Sequence, residues 1–190
     1  MINFNRTKFI KSAYNIEDHL YDYEQILFIG KSNVGKSSLI NAITNQNKLA
    51  YVSKTPGMTK LVNYYLVDEK FYLVDVPGFG YRKISRSDDK FVELMDNYLL
   101  KNPCLKYVFY LIDSRRGIDE DAEEVISYIA SLNYPLYIIF TKADKLNKSE
   151  KAKIRNNIAS YNIKEYQFFS NIDKKLINDL QKKIVEVISK

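Results

Sequence analysis

Gln25-Ile26-Leu27-Phe28-Ile29-Gly30-Lys31-Ser32-Asn33-Val34-Gly35-Lys36-Ser37 places a short apolar run directly before a full match to G-x-x-x-x-G-K-[ST]. The run reads as a buried strand, and the motif as a loop whose glycines let successive N–H groups and a helix N-terminus point at the β- and γ-phosphates of a nucleotide. Lys36 adds a positive charge, and the Ser37 hydroxyl is the type of group that holds magnesium. From average composition, such a match arises by accident in roughly one chain of this length in a hundred. Ser38-Leu39-Ile40-Asn41-Ala42-Ile43 continues as a helix.

Working outward, strand-like and helix-like segments alternate along the 190 residues, as expected of one doubly wound α/β domain. Leu61 to Val67 and Phe71 to Val76 are joined by only Asp68-Glu69-Lys70, which demands an antiparallel hairpin. Later strands are expected at Tyr107 to Ile112, Leu136 to Phe140 and Glu165 to Phe169. Helices are expected near Asp88 to Leu100, Glu120 to Leu132, Ser149 to Ser160 and Asp173 to Ile188. Together these predict a mostly parallel six-stranded sheet with one antiparallel edge strand. Residues 25–190 form the domain, and residues 1–24, which carry no clear pattern, pack on it as an extension.

Composition excludes several classes. No stretch approaches the ~20 apolar residues of a membrane span, and Met1 to Arg6 lacks a secretory core, so a cytoplasmic protein without a membrane partner is expected. Cys104 is the only cysteine, so there is no intrachain disulfide; its neighbours Pro103 and Leu105 suit a small buried residue. His19 is also alone, which favours a surface or core role over catalysis. The net charge of +6 and pI near 9.1 point to a polyanionic partner. Most lysine-rich stretches, Lys142 to Arg155 among them, read as solvated helix faces. Arg82-Lys83 with Arg86, and Arg115-Arg116, lie beside motifs and are candidates for RNA contact. Asp119-Glu120-Asp121 with Glu123-Glu124 reads as charge stabilising a helix N-terminus rather than as catalytic carboxylates.

Every chemically suggestive motif falls just after a strand, where ligands of wound sheets sit. Asp75-Val76-Pro77-Gly78, 45 residues after Gly30, is D-x-x-G: Asp75 can hold magnesium through a water, and the Gly78 N–H can meet the γ-phosphate. Between the two motifs, Lys54-Thr55-Pro56-Gly57-Met58-Thr59 offers Thr59 as a hydroxyl that closes over magnesium when the γ-phosphate is present, with Thr55 competing. Catalytic contributions are expected from Lys36, Thr59 and Gly78. Base choice rests on Thr141-Lys142-Ala143-Asp144: a carboxylate at Asp144 accepts two hydrogen bonds from guanine, whereas adenine leaves it unpaired, a difference worth ~10⁴ or more. An ATPase of the same fold stands or falls on that residue. Lys142 can lie along the base, and Phe169-Ser170-Asn171, after the last strand, can meet the guanine carbonyl oxygen. Phe79 stands where many GTPases carry the glutamine that orients water, and a phenyl ring cannot do so.

Taken together, G-K-S-N-V-G-K-S, T-P-G-M-T-K with Asn63-Tyr64-Tyr65, D-V-P-G-F-G-Y, Leu111 to Gly117 and T-K-A-D-K-L resemble the EngB (YihA/YsxC) family of ribosome-biogenesis GTPases, within the TrmE-Era-EngA-like group. The resemblance runs from about Gln25 to the C-terminus. It implies a Ras-like fold, GTP or GDP with Mg²⁺, slow hydrolysis, a link to the cell cycle and septation, and a monomer acting on precursors of the large (50S) ribosomal subunit, both rRNA and proteins. It also implies two readings of Asn33, as the place where related GTPases recruit K⁺ or as a brace for the switch loop. The surface expected to meet the ribosome carries Tyr81, Arg82, Lys83 and Arg86. A nucleotide-gated RNA-binding module with incidental hydrolysis is the alternative that Phe79 keeps open. Ser170-Asn171 departs from the small residues usual in the family at that loop.

Overall fold

The computed structural model describes residues 2–14, 16–50, 61–78, 98–161 and 163–189. In chain order its strands are β1 (Lys8–Ala13), β2 (Glu24–Gly30), β3 (Val62–Val67), β4 (Phe71–Asp75), β5 (Leu105–Asp113), β6 (Leu136–Thr141) and β7 (Tyr166–Phe168). The helices are α1 (Lys36–Thr44), α2 (Glu120–Ser131), α3 (Lys148–Ser160) and α4 (Lys174–Ile188), and residues 98–101 are also helical. Of the helix expected from Asp88, residues 88–97 lie outside the described residues, as do residues 51–60 of the loop before β3.

β2 is apolar on both faces, so it takes the centre of the sheet, whose order is β1-β3-β4-β2-β5-β6-β7. Alternation along the strand sends Ile26 and Phe28 to one side and Leu27 and Ile29 to the other. The first side is closed by Leu39, Ile40 and Ile43 of α1 and by the Leu180-Ile184-Val187 stripe of α4, with Phe28 stacked on Phe109 at 5.4 Å. The second is closed by Val125 and Ile129 of α2 and Ile158 of α3. Helices on both faces of a largely parallel sheet confirm the doubly wound expectation. None of the described helices is long and apolar enough to cross a membrane.

The strand count differs from expectation: the sheet has seven strands, not six. β3 is the antiparallel strand of the hairpin, but it is not at the edge, because β1 pairs with it antiparallel from Lys8↔Leu66 to Ala13↔Val62. The sequence hid β1 for a physical reason. A register shift between Phe9 and Lys11 breaks its two-residue period, and three of its six residues face solvent. The rest of the N-terminal segment is tied in as well. Phe4 is buried edge-on against Phe71 at 6.3 Å, and the Asp68 carboxylate accepts from the Asn3 N–H at 3.0 Å.

His19 is a core residue: its Nδ1 lies 2.6 Å from the Tyr64 hydroxyl, and burial lowers its pKa. Beside it, Gln25 accepts from Tyr98 and from Asn102 and donates to the Leu20 carbonyl. Cys104 is half-buried rather than buried, its thiol 3.1 Å from the Tyr21 carbonyl.

Because Phe4 is 6% exposed and packs on the sheet, Phe4→Ala should lower unfolding free energy by about 3 kcal/mol in urea melts followed by circular dichroism. A loss below ~0.5 kcal/mol, the range of surface changes, would mean that the first residues are a passenger.

Candidate nucleotide site

The C-terminal ends of β2, β4, β5, β6 and β7 lie side by side, and each hands the chain to one of the motifs. After β2, Gly35 takes φ 111°, a left-handed conformation open to glycine, and α1 begins at Lys36. The first N–H groups of that helix, at Lys36, Ser37 and Ser38, have no partner within the helix by geometry and carry its positive dipole end. Val34 is buried, Asn33 is exposed with φ 62°, and Ser37 and Ser38 are half-buried.

Asp75 ends β4, and the parallel β2–β4 pairing sets it opposite Phe28, two residues before the loop. Its side chain is 6% exposed and that of Lys36 is 9% exposed, and their charged atoms stand 4.0 Å apart. The Lys36 ammonium also donates a long bond, 3.4 Å, to the Gly30 carbonyl. Asp75 Oδ1 is buried without a hydrogen-bond partner. Burial pushes the Asp75 carboxyl up to about 6 against the opposing pull of Lys36, and burial lowers Lys36 in turn. An orphaned buried carboxylate oxygen facing an underused ammonium, at a helix N-terminus carrying a hydroxyl at Ser37, is a donor set that fits a divalent cation and a phosphate.

Val76 and Pro77 are buried, and Gly78 lies directly on the phosphate loop. A Cβ at Gly78 would come within 2.8 Å of Ser32 Cα and N, so the approach admits only glycine. The Ser32 hydroxyl donates to the Gly78 carbonyl at 3.0 Å, joining the two phosphate-side motifs.

The base-side loop is joined to the phosphate loop as well. The Thr141 hydroxyl donates to the Val34 carbonyl at 2.7 Å, and the Lys142 ammonium donates to the Asn33 carbonyl at 2.8 Å and to Asp113 Oδ2 at 2.9 Å. Lys142 itself adopts φ 58°. Ala143 is buried and its N–H donates to the Phe169 carbonyl at 3.0 Å; Phe169 and Ser170 are each 2% exposed. The Ser170 hydroxyl donates to Asp144 Oδ1 at 2.8 Å and is the main cause of that carboxyl's lowered pKa, so Asp144 is held ionised and oriented. Asn171 is exposed beside it.

Two groups of contacts were missed from sequence. Asp113, the last residue of β5, accepts from Arg115 Nε at 2.9 Å, Arg115 Nη2 at 2.6 Å and Lys142 Nζ. Burial pushes its carboxyl up, but these donors outweigh burial and hold it well below the usual carboxylate range. Arg115 therefore serves an internal pair while its side chain stays 54% exposed. Lys31 ion-pairs with Asp119 at 2.7 Å and Asp121 at 2.8 Å, tying the phosphate loop to the start of α2. Asp119 is also the cap of that helix, accepting from the Ala122 N–H, as the acidic run predicted. Its position next to a cap could have flagged the helix end, but nothing local announced Lys31, 88 residues away.

Gly57, Met58, Thr59 and the competing Thr55 lie outside the described residues, as do Phe79, Tyr81, Arg82, Lys83 and Arg86. The described residues of the phosphate loop, of Asp75 to Gly78, of Thr141 to Asp144 and of Phe169 to Asn171 all come to one end of the sheet.

Comparison with known proteins gives this arrangement a family. Residues 25–142 match the family model described as 50S ribosome-binding GTPase. The chain is 39% identical over 180 residues to the Probable GTP-binding protein EngB of Clostridium acetobutylicum, covering 90% of each chain. Its fold matches the crystal structure of a probable GTP-binding protein engB with TM-score 0.67 at 23% identity, over 87% of this chain and 98% of that one. It matches the crystal structure of Era in complex with MgGDPNP and nucleotides 1506-1542 of 16S ribosomal RNA with TM-score 0.67 at 22% identity, over 89% of this chain and 57% of that one. With the phosphate loop, the buried Asp75 and the braced Asp144 on one Ras-like sheet, the chain belongs to the EngB family and is a GTP-binding GTPase.

Proposed function

We propose that this GTPase is a cytoplasmic, monomeric switch in assembly of the large ribosomal subunit, built as one G domain over residues 25–190 with residues 1–24 packed on it, and that it hydrolyses GTP slowly. The observation that carries the reading is Asp75 Oδ1, buried without a partner 4.0 Å from the Lys36 ammonium, an arrangement that a bound metal and phosphate would complete.

In this reading Gly30 to Ser38 wrap the phosphates with backbone N–H groups, and Lys36 places its charge on the β- and γ-phosphates. The Ser37 and Thr59 hydroxyls, with Asp75 through a water, are the groups that would hold Mg²⁺. Magnesium, when present, neutralises charge on the phosphate oxygens. The Gly78 N–H, already set against the phosphate loop, senses the γ-phosphate, and Gly57 and Met58 carry Thr59 toward it. Asp144 reads guanine while Ser170 steadies it, with Phe169 and Asn171 completing the base wall. Lys36, Thr59 and Gly78 are the catalytic contributors. Asn33, exposed at the rim of the loop, is suited to recruit K⁺, which would add positive charge beside the transferred phosphoryl group.

Support for the ribosomal half comes from the matched family's description and from an Era structure bound to ribosomal RNA. Tyr81, Arg82, Lys83 and Arg86, immediately after D-x-x-G, would present the nucleotide-dependent surface. Phe79 in the water-orienting position favours a second reading, a nucleotide-gated RNA-binding module whose hydrolysis is incidental.

Three measurements test these assignments. Asp144→Asn should move preference from GTP toward xanthosine triphosphate in competition binding, and unchanged base choice would remove Asp144 from the base site. Burial raises the Asp75 pKa from 3.8 to about 6, so metal-free stability should fall as pH rises between those values and be flat above them. Binding of Mg²⁺-nucleotide needs the ionised form, so affinity should fall up to about tenfold per pH unit below about 6, and Asp75→Asn should remove that part of the dependence. Single-turnover GTP cleavage should accelerate when large-subunit precursors are added; no acceleration would favour the incidental-hydrolysis reading.

A further inference from the structure

Residues 145–164 carry Lys145, Lys148, Lys151, Lys153, Arg155 and Lys164 against Glu150 alone, a net of +5 within a chain whose total is +6. The remaining residues are therefore almost neutral, and the charge that sets the pI near 9.1 sits on and around α3. Its acids are already engaged. Glu150 accepts from the Asn147 N–H at 2.8 Å as half of a capping box, and neighbouring Glu165 is held by Lys183 at 2.7 Å. Lys145 pairs with Asp144 at 3.3 Å, but Lys148, Lys151, Lys153 and Lys164 have no ion-pair partner among the described residues.

Lys148, Lys151 and Arg155 follow i, i+3, i+7 spacing, which aligns them along one face over about 10 Å of helix. The row runs beside β7, the last strand of the sheet, where the Arg155 guanidinium lies over the Phe168 ring at 5.5 Å. α3 is otherwise thinly packed: Ile158 is buried, Ile154 and Lys151 are half-buried on the same side, and the exposed positions are Lys, Ser, Glu, Ala, Arg and Asn. A helix with so little apolar face is held against the body mainly by Ile154 and Ile158, and its like charges repel one another.

We propose that the flank of α3 carrying Lys148, Lys151 and Arg155, where Lys148 and Arg155 are exposed and Lys151 is half-buried beside the isoleucines, is a docking surface for the phosphate backbone of RNA, separate from the segment after D-x-x-G. A row of unneutralised cations gains by releasing the counterions of a polyanion, and A-form RNA is recognised mainly through its shape and its phosphates. An anionic membrane surface fits less well, because an interfacial helix needs apolar residues beside its basic ones, and the isoleucines of α3 point inward. The surface begins four residues after Asp144, so RNA held there lies next to the base end of the nucleotide site. This extends the ribosomal reading above by naming the contact, and it rests on that reading for the source of the RNA.

The test compares wild-type protein with Lys148→Gln combined with Lys151→Gln, and with a control of equal charge loss, Lys8→Gln combined with Lys11→Gln, on β1 at the opposite sheet edge. The probes are a short RNA duplex over a range of salt, purified large subunits in co-sedimentation, and anionic vesicles. The α3 pair should weaken duplex binding for all sequences and reduce the salt slope by about 2, with GTP cleavage unchanged and the β1 pair close to wild type. An unchanged slope in the α3 pair, equal losses in both pairs, or wild-type binding to vesicles but not to RNA would each overturn the surface. If duplex binding depends on α3 while wild-type protein fails to sediment with large subunits, the surface stands and the ribosomal assignment falls.

Discussion

The site depends on one incompletely satisfied pair: a carboxylate at Asp75 and an ammonium at Lys36, both taken out of water and left 4.0 Å apart rather than in contact. Desolvating two charges costs several kcal/mol each, and their attraction offsets that only when geometry and further hydrogen bonds are good. Here neither holds, since Asp75 Oδ1 has no donor and the Lys36 bond to Gly30 is long. The protein therefore holds these charges at a cost, which a bound cation and phosphate would relieve. A tighter direct pair would raise the stability of the empty protein and weaken the pull on phosphate and metal.

What keeps so costly a pair in place is the bracing of the loops around it. Three side chains reach from one motif to the backbone of another: Ser32 to Gly78, Thr141 to Val34 and Lys142 to Asn33. None of these bonds uses an N–H group of the phosphate loop, because the loop supplies carbonyls to Thr141 and Lys142 and only a hydroxyl to Gly78. Asp113 then fixes Lys142 from behind, and Lys31 fixes the loop to α2. The loop after β6 and the loop after β2 are thus tied to each other before any ligand arrives, which lowers the ordering cost of a ligand that needs both.

The parts written in local pattern were legible: β2 and its loop, the hairpin forced by a three-residue connection, Asp75 and Asp144 at strand ends, and the acidic run from Asp119 that starts α2. What was not legible depends on contacts distant in sequence. β1 was hidden because its bulge and polar edge residues erase alternation, and its partner strand begins about 50 residues later. Asp113 looked like an ordinary strand end until the fold set Lys142 and Arg115 on it. Cys104, between Pro103 and Leu105, read as buried because local composition says nothing of the half-open spot before β5 where its thiol meets the Tyr21 carbonyl. The basic stretch at α3 read as a solvated face, and only the absence of ion-pair partners for Lys148, Lys151, Lys153 and Lys164 among the described residues showed that its charge is left over.

Register is the link between these levels. Parallel pairing sets Phe28 against Asp75, so Asp75 projects to the same side of the sheet as Phe28 and at the height of the loop that follows β2. A slip of one residue would turn Asp75 to the opposite face and bring an apolar neighbour under Lys36. Several features oppose such a slip. Leu73 and Val74 fill opposite cores, the hairpin fixes β4 to β3 through Val67↔Phe71, and β1 in turn clamps β3. The N-terminal strand, farthest in the sheet from the loop after β6, therefore helps determine where the Asp75 carboxylate stands, and damage at that edge should be felt at Asp75 before it is felt at Asp144.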